Sequence, residues 1–206
     1  MRIADRLYRH PGGTLPTKRH DPKDDTALDR LMNRPEGTHT AVLAAHRQQT
    51  LERMRQTHGL LLVRHDTTQL DYSGWRSITD RGPSGGGLNR GFWCHNSLAF
   101  DPERRAVIGL VSQLLHRRRP VGRQEGVKAK RERTDRESLL GTAGLEAVGP
   151  AAAAARWVPV ADRGVDAFEL LARPVAAGHR FVVPSNRSRV IRQGHDPQGP
   201  KNDLHA

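Results

Sequence analysis

Apolar positions along this chain change their spacing several times, and each change predicts an element. From Asp24 to Asn33 and again from Thr38 to His58 they recur at helical intervals. Ala27, Leu28, Leu31 and Met32 share one side of the first stretch, and Val42, Leu43, His46, Leu51 and Met54 roughly one side of the second. Asn33 to Gly37 break the pattern, and Thr38 is suited to cap the second helix because its hydroxyl accepts from a free N–H of the first turn. Leu60 to Arg64 is a short continuous apolar run, the pattern of a central strand. Gly82 to Gly91 is a glycine-rich loop. Phe92 to Phe100 and Ala106 to Leu114 are two further strands, and the turn sequence Asp101, Pro102, Glu103, Arg104 joins them into an antiparallel meander.

Between His116 and Arg136 the period disappears: nine Lys or Arg stand against three acids, which predicts a charged connector. Arg136 to Val148 is a helix closed by Gly149 and Pro150. The run Ala151 to Ala155 lies between Pro150 and Pro159 and carries no functional weight. Trp157 to Ala161 is a strand, Val165 to Ala172 a helix and Arg180 to Val183 a last strand. The expected organisation is an irregular arm over 1–23, a helical region over 24–58, an α/β core over 59–184 and a polar tail over 185–206. Three strands, a helix, a strand, a helix and a strand make the chain order of a ribonuclease H-like mixed sheet. That is the fold class expected here, preceded by a small helical N-terminal region.

Composition adds a partner class. Lys and Arg number 34 against 22 acids, giving a net charge of +12, and the pI near 11.1 favours a polyanion, nucleic acid first. A chain of 206 residues is long enough for one domain with a core. Cys94 is the single cysteine, which excludes a disulfide framework or a Cys-based zinc site within one chain and suits a reducing cytoplasm. No apolar run approaches the roughly 18 residues that a bilayer requires. The expectation is a soluble, cytoplasmic protein with no membrane partner.

Candidate chemistry lies where strands and acids coincide. Asp66 follows the run GLLLVRH and Asp162 follows RWVPVA, so each carboxylate stands where a strand leaves the core. Carboxylates held this way are donors suited to Mg²⁺ or Mn²⁺, and a pair of such ions activates the entering and leaving oxygens of a phosphodiester. Taken singly, Asp66 reads as a turn aspartate and Asp162 as a helix cap; taken together they read as a metal site. Asp71 and Asp166 are better explained as local caps or pairs. His65 neighbours Asp66 but points to the opposite face of a strand, and His95 reads as a core or loop histidine. The sequence SGGGLNRG lacks the Gly-Lys-Ser/Thr of a phosphate-binding loop and reads as a hairpin loop.

The order of several longer motifs resembles the DDE transposases of the insertion-sequence-four family, the group that includes the cut-and-paste transposase of bacterial transposon five. LMNRPEGTH at Leu31 to His39 resembles the end of the family's N-terminal DNA-binding region. HDTTQLDYSG carries Asp66, GGGLNRGFWCHNSLAFDP and VIGLVSQLLHRR resemble the second and third strands, VADRGVDAFELL carries Asp162, and RFVVPSNRSR resembles the strand that follows.

The resemblance implies a metal-dependent DNA transposase acting on double-stranded DNA, both transposon ends and target, as a homodimer or with a full-length transposase, and nucleoid-associated in a bacterium. It implies Asp66 and Asp162 as catalytic metal ligands for Mg²⁺ or Mn²⁺. It also sets expectations of departure. The family's third acid, a glutamate on a late helix, has no counterpart in this chain; Glu169 lacks the surrounding motif, and the tail resembles sequence leading into an inserted β-rich segment. Pro184 stands where an arginine is usual, Gly141 where a Trp is usual, and no Gly-Asp-x-Arg segment precedes the helices. The expectation is therefore an incomplete copy, inactive alone. The alternatives are a truncated DNA-binding or interfering fragment without catalysis, or a non-functional remnant.

Overall fold

The computed structural model describes residues 8, 9, 12, 22–120, 126, 132–150, 155–162, 180–184, 190–192 and 201–203. Helix α1 spans Pro22–Met32 and α2 spans His39–Gln56. A proline suits the first turn of α1, where its missing N–H would have had no partner. Between the helices, Asn33 closes α1 through its backbone N–H and its side-chain amide, both donating to the Asp29 carbonyl at 3.0 and 2.8 Å. Thr38 caps α2 as its sequence predicts, its hydroxyl accepting from the Ala41 N–H at 3.1 Å. The chain divides into two compact units, Met1–Ala45 and His46–Ala206.

The second unit is built on a mixed five-stranded sheet. Its strands are β1 (Gly59–Asp71), β2 (Gly82–Pro83), β3 (Arg90–Asp101), β4 (Ala106–His116) and β5 (Ala155–Ala161). β3 runs antiparallel to both β1 and β4, while β1 and β5 run parallel. The two-residue β2 extends the β4 edge by pairing with Arg90 and Gly91. Beyond β5, a parallel bridge joins Val160 to Val182. The order across the sheet is thus β4, β3, β1, β5 and then the chain at Val182. A short 3₁₀ turn (Glu137–Leu139) leads into helix α3 (Leu140–Val148), which connects β4 to β5. The helix expected over Val165–Ala172 lies outside the described residues.

β1, β6 (Val190–Arg192) and β7 (Lys201–Asp203) differ from the sequence pattern. β1 does not stop at Arg64: it continues to Asp71, because β3 goes on pairing with it as far as Asp71 and Gly91. Asp66 is therefore inside a strand rather than just beyond one. Within the stretch read as a polar tail, β6 and β7 form an antiparallel ribbon.

The core lies on one face of the sheet. Leu51 and Met54 of α2, Leu61 and Val63 of β1, Ala99 of β3, Val111 of β4, Val148 of α3 and Trp157 of β5 form one buried cluster. Burying a Leu or Met side chain contributes about 1.5–3 kcal/mol, so this cluster is the main stabilising term of the unit. The helices are also tied by polar contacts. β4 shifts register on either side of its pairing with Leu98 and Ala99, and there the Leu110 N–H donates to His46 Nε2 of α2 at 3.1 Å. Arg47 of α2 donates to the Ala147 carbonyl of α3 at 2.6 Å. No helix among the described residues is long and apolar enough to cross a membrane.

Candidate metal centre

β1 and β5 bring the two sequence-nominated acids to the same level of the sheet. Their parallel ladder runs from Gly59 and Ala155 to His65 and Ala161, and it ends there. The next residue on β1 is Asp66, and Asp162 follows directly after the end of β5. Paired residues of adjacent parallel strands sit side by side, so the end of one ladder presents both carboxylates together. Both residues are exposed. Both also act on His95 of β3: burial lowers the proton affinity of that imidazole, while the charges of Asp66 and of Asp162 each push it back up.

The faces of β1 explain what lies around them. Val63 and His65 point inward and are buried, so Arg64, Asp66 and Thr68 take the opposite, exposed face. On the inner face His65 and His95 stack at 5.6 Å between ring centroids. His95 Nδ1 and the Thr67 hydroxyl share a hydrogen bond of 2.8 Å, and His65 Nδ1 and the Ser97 hydroxyl share one of 3.0 Å. Ser112 extends the second of these by donating to Ser97 at 2.8 Å. Among the described residues the Nε2 atom of each histidine is buried without a hydrogen-bond partner. Burial first, and the neighbouring His95 second, lower the pKa of His65 to about 4. Both histidines are thus core groups under the site, and burial disfavours the charged form of each.

On the outer face the carboxylate of Asp66 accepts from the Thr68 hydroxyl at 3.4 Å. Directly opposite Asp66 on β3 is Asn96, and opposite Asn96 on β4 is Gln113. Gln113 Nε2 donates to Asn96 Oδ1 at 2.8 Å, and the Cys94 thiol contacts the same oxygen at 3.6 Å. Burial raises the pKa of that thiol, which leaves Cys94 a protonated, inert neighbour. Sequence reading passed over Arg64, Asn96 and Gln113. Their only sequence signal is strand alternation, and which residues lie opposite one another depends on a register that alternation alone does not supply.

Asp71 is a local cap, as its spacing suggests: its carboxylate accepts from both the N–H and the hydroxyl of Ser73, at 2.9 and 2.5 Å, and these bonds lower its pKa. Asp166 and Glu169 lie outside the described residues. The glycine-rich loop joins β2 to β3, with the Ser84 N–H donating to the Asn89 carbonyl across it at 3.0 Å. Where the basic connector is described, its arginines are engaged. Arg118 stands 5.0 Å over the Trp93 ring and pairs with Glu137. Arg119 meets Asp135 at 3.1 Å. Arg133 hydrogen-bonds the same carboxylate and is the main cause of its pKa falling to about 2.

The donor set suits a hard divalent cation. Two exposed carboxylates offer oxygen ligands, and Mg²⁺ is commonly held by one or two carboxylates while retaining several waters. Among the described residues no group of three or more His, Cys, Asp or Glu is placed to share a metal ion.

No protein-family model matches the chain, and no curated protein matches it. Among solved structures it is similar to piggyBac transposase in a cryo-EM structure of that enzyme's synaptic complex with hairpin DNA, at 12% sequence identity and a TM-score of 0.35. The similarity covers 97% of this chain and 39% of the transposase chain, so this chain spans about two fifths of that protein's length.

Proposed function

We propose that this chain carries part of the catalytic core of a DDE-type DNA transposase, a ribonuclease H-like core in which Asp66 and Asp162 hold Mg²⁺ or Mn²⁺. The observation that carries the reading is the shared end of the β1–β5 ladder, where an aspartate follows the last paired residue of each strand. Strand order adds support: three antiparallel strands, a helical crossover, a fourth strand parallel to the first and a further parallel pairing at Val182 follow the arrangement expected of that fold. The motif order around HDTT and VADRGVD favours the insertion-sequence-four family among DDE enzymes. The net charge of +12 fits a DNA substrate.

In this reading the residues of the chain have separable tasks. Asp66 and Asp162 supply negative oxygen ligands from adjoining backbone positions, one within β1 and one directly after β5, brought together by the ladder that ends just before both. A divalent cation bound there would polarise the scissile phosphate and favour a deprotonated nucleophile. The buried His65 and His95 remain neutral beneath the carboxylates and add no competing positive charge. Thr68 contacts Asp66 from the same face.

The test is calorimetric. Mn²⁺ is titrated into the chain and into a variant carrying Asp66→Asn and Asp162→Asn, with thermal shift measured in parallel. Saturable binding with a raised melting temperature, lost in the variant, is the expected result. Identical behaviour of the two proteins would remove the metal site and with it the proposed chemistry.

A further inference from the structure

We propose that Arg64 and Asn96 form a cradle for a phosphodiester oxygen on the sheet face that carries Asp66; this rests on the carboxylate-site reading above and goes beyond it by assigning the residues that hold the substrate's phosphate. Arg64 lies two residues before Asp66 on the same exposed side of β1. Asn96 is directly opposite Asp66, and Leu98 is directly opposite Arg64. Cβ atoms of directly opposed residues lie about 4.5–5.5 Å apart, and diagonal neighbours remain within reach of a long side chain. Both donors therefore stand within one rung of the carboxylate.

Their hydrogen-bonding state points to an external ligand. Gln113 Nε2 and the Cys94 thiol both address Asn96 Oδ1, at 2.8 and 3.6 Å. That fixes the amide with its oxygen engaged and leaves the Nδ2 hydrogens for some other acceptor. Among the described residues nothing accepts from Nδ2, and the Arg64 guanidinium makes no ion pair or hydrogen bond. Two donors unengaged on one face, beside a carboxylate and amid the half-buried Leu62, Leu98 and Phe100, mark a place for an anion.

Chemistry narrows the anion to a phosphodiester. A phosphate drawn to two carboxylates meets their repulsion, which the guanidinium of Arg64 offsets at close range. A neutral amide adds a hydrogen bond to a non-bridging oxygen without competing for the cation. An aspartate or glutamate at position 96 would instead repel the phosphate.

A fluorescein-labelled DNA duplex is the probe, titrated with the whole chain in Ca²⁺ and separately in EDTA, with anisotropy as the readout. Arg64→Ala and Asn96→Ala are expected each to weaken binding in Ca²⁺ by about 5- to 10-fold while leaving binding in EDTA and the Mn²⁺ isotherm unchanged. Asn96→Asp preserves shape, so a folding defect does not obscure it; it is expected to weaken DNA binding in Ca²⁺ more than Asn96→Ala and to tighten Mn²⁺. Wild-type affinity in Ca²⁺ for all three variants, with Ca²⁺-dependent binding lost in Asp66→Asn, would overturn the cradle and leave the carboxylate site standing. A wild-type chain whose DNA binding is the same in Ca²⁺ and EDTA would overturn both.

Discussion

His65 and His95 stack on neighbouring strands, 5.6 Å between centroids, and each keeps a buried Nε2 with no hydrogen-bond partner among the described residues. A charged imidazole in either position would lose its hydration and face a second one, so the fold requires both rings neutral.

Stability should consequently fall in mild acid. The pKa of His65 is about 4 in the folded chain, against about 6.5 when unfolded. Between those values the unfolded state binds a proton that the folded state does not, so stability is complete above about pH 6.5 and declines as pH falls toward about 4. The loss attributable to this one group is of the order of 3 kcal/mol at most. Urea midpoints measured across this window should drop steadily for the wild type and less steeply for His65→Phe. A flat wild-type profile would show that His65 is not held neutral by burial.

Gly144 lets α3 lie against the two rings. A Cβ built there would be 2.4 Å from His95 Nε2 and 3.3 Å from His65 Nδ1. The His95 ring cannot swing aside easily, since Thr67 bonds its Nδ1 at 2.8 Å and His65 stacks on it. Gly144→Ala should therefore destabilise by about 1–3 kcal/mol, even though alanine favours a helix by up to about 1 kcal/mol over glycine. Gly86→Ala, with nothing within 4 Å of the added Cβ, serves as the control and should change the melting temperature little.

The inner face of β1 also explains how much could be read from sequence. β3, β4 and β5 lie within two residues of the expected bounds, because these stretches are rich in the apolar and aromatic residues that strands favour. Beyond Arg64, however, β1 reads HDTTQLD, whose inward residues include His65 and Thr67, and polar inward residues erase the alternation that marks a strand. Its continuation depends on pairing with β3, a tertiary fact. Ser97, which bonds His65, and Ser112, which donates to Ser97, carry no sequence signal of these contacts, because only the register brings them to that ring. Asp66 and Asp162 were legible because each closely follows an apolar run. Asn96 and Gln113 were not, because only the register sets them in line with Asp66.

The β3–β4 turn offers a separate test of local chemistry. Asp101 is buried, and its Oδ1 accepts from the N–H groups of Glu103 and Arg104 at 3.0 Å each. Asp101→Ala leaves both donors without that acceptor and should cost about 1–3 kcal/mol. Arg105 completes the turn with φ of 52°, a left-handed conformation that costs a residue with a Cβ about 1–2 kcal/mol. Arg105→Gly should accordingly stabilise the chain slightly, seen as a raised urea midpoint. Opposite signs for these two neighbouring substitutions distinguish the turn's geometry from general sensitivity of the loop.

His95 can report whether the two carboxylates really share one place, with no metal or DNA added. Burial is the largest influence on its imidazole and lowers its proton affinity, while Asp66 and Asp162 each raise it. Removing either negative charge should therefore move the His95 titration to still lower pH, and removing both should move it furthest. The experiment is an NMR titration of the His95 ring in the wild type, in Asp66→Asn, in Asp162→Asn and in the double variant. If only Asp66→Asn shifts the ring, β5 does not deliver Asp162 to the site and the two-carboxylate centre fails. If both single variants shift it in the same direction, the acids meet at His95 from two different strands, which is the arrangement that shared binding of one cation requires.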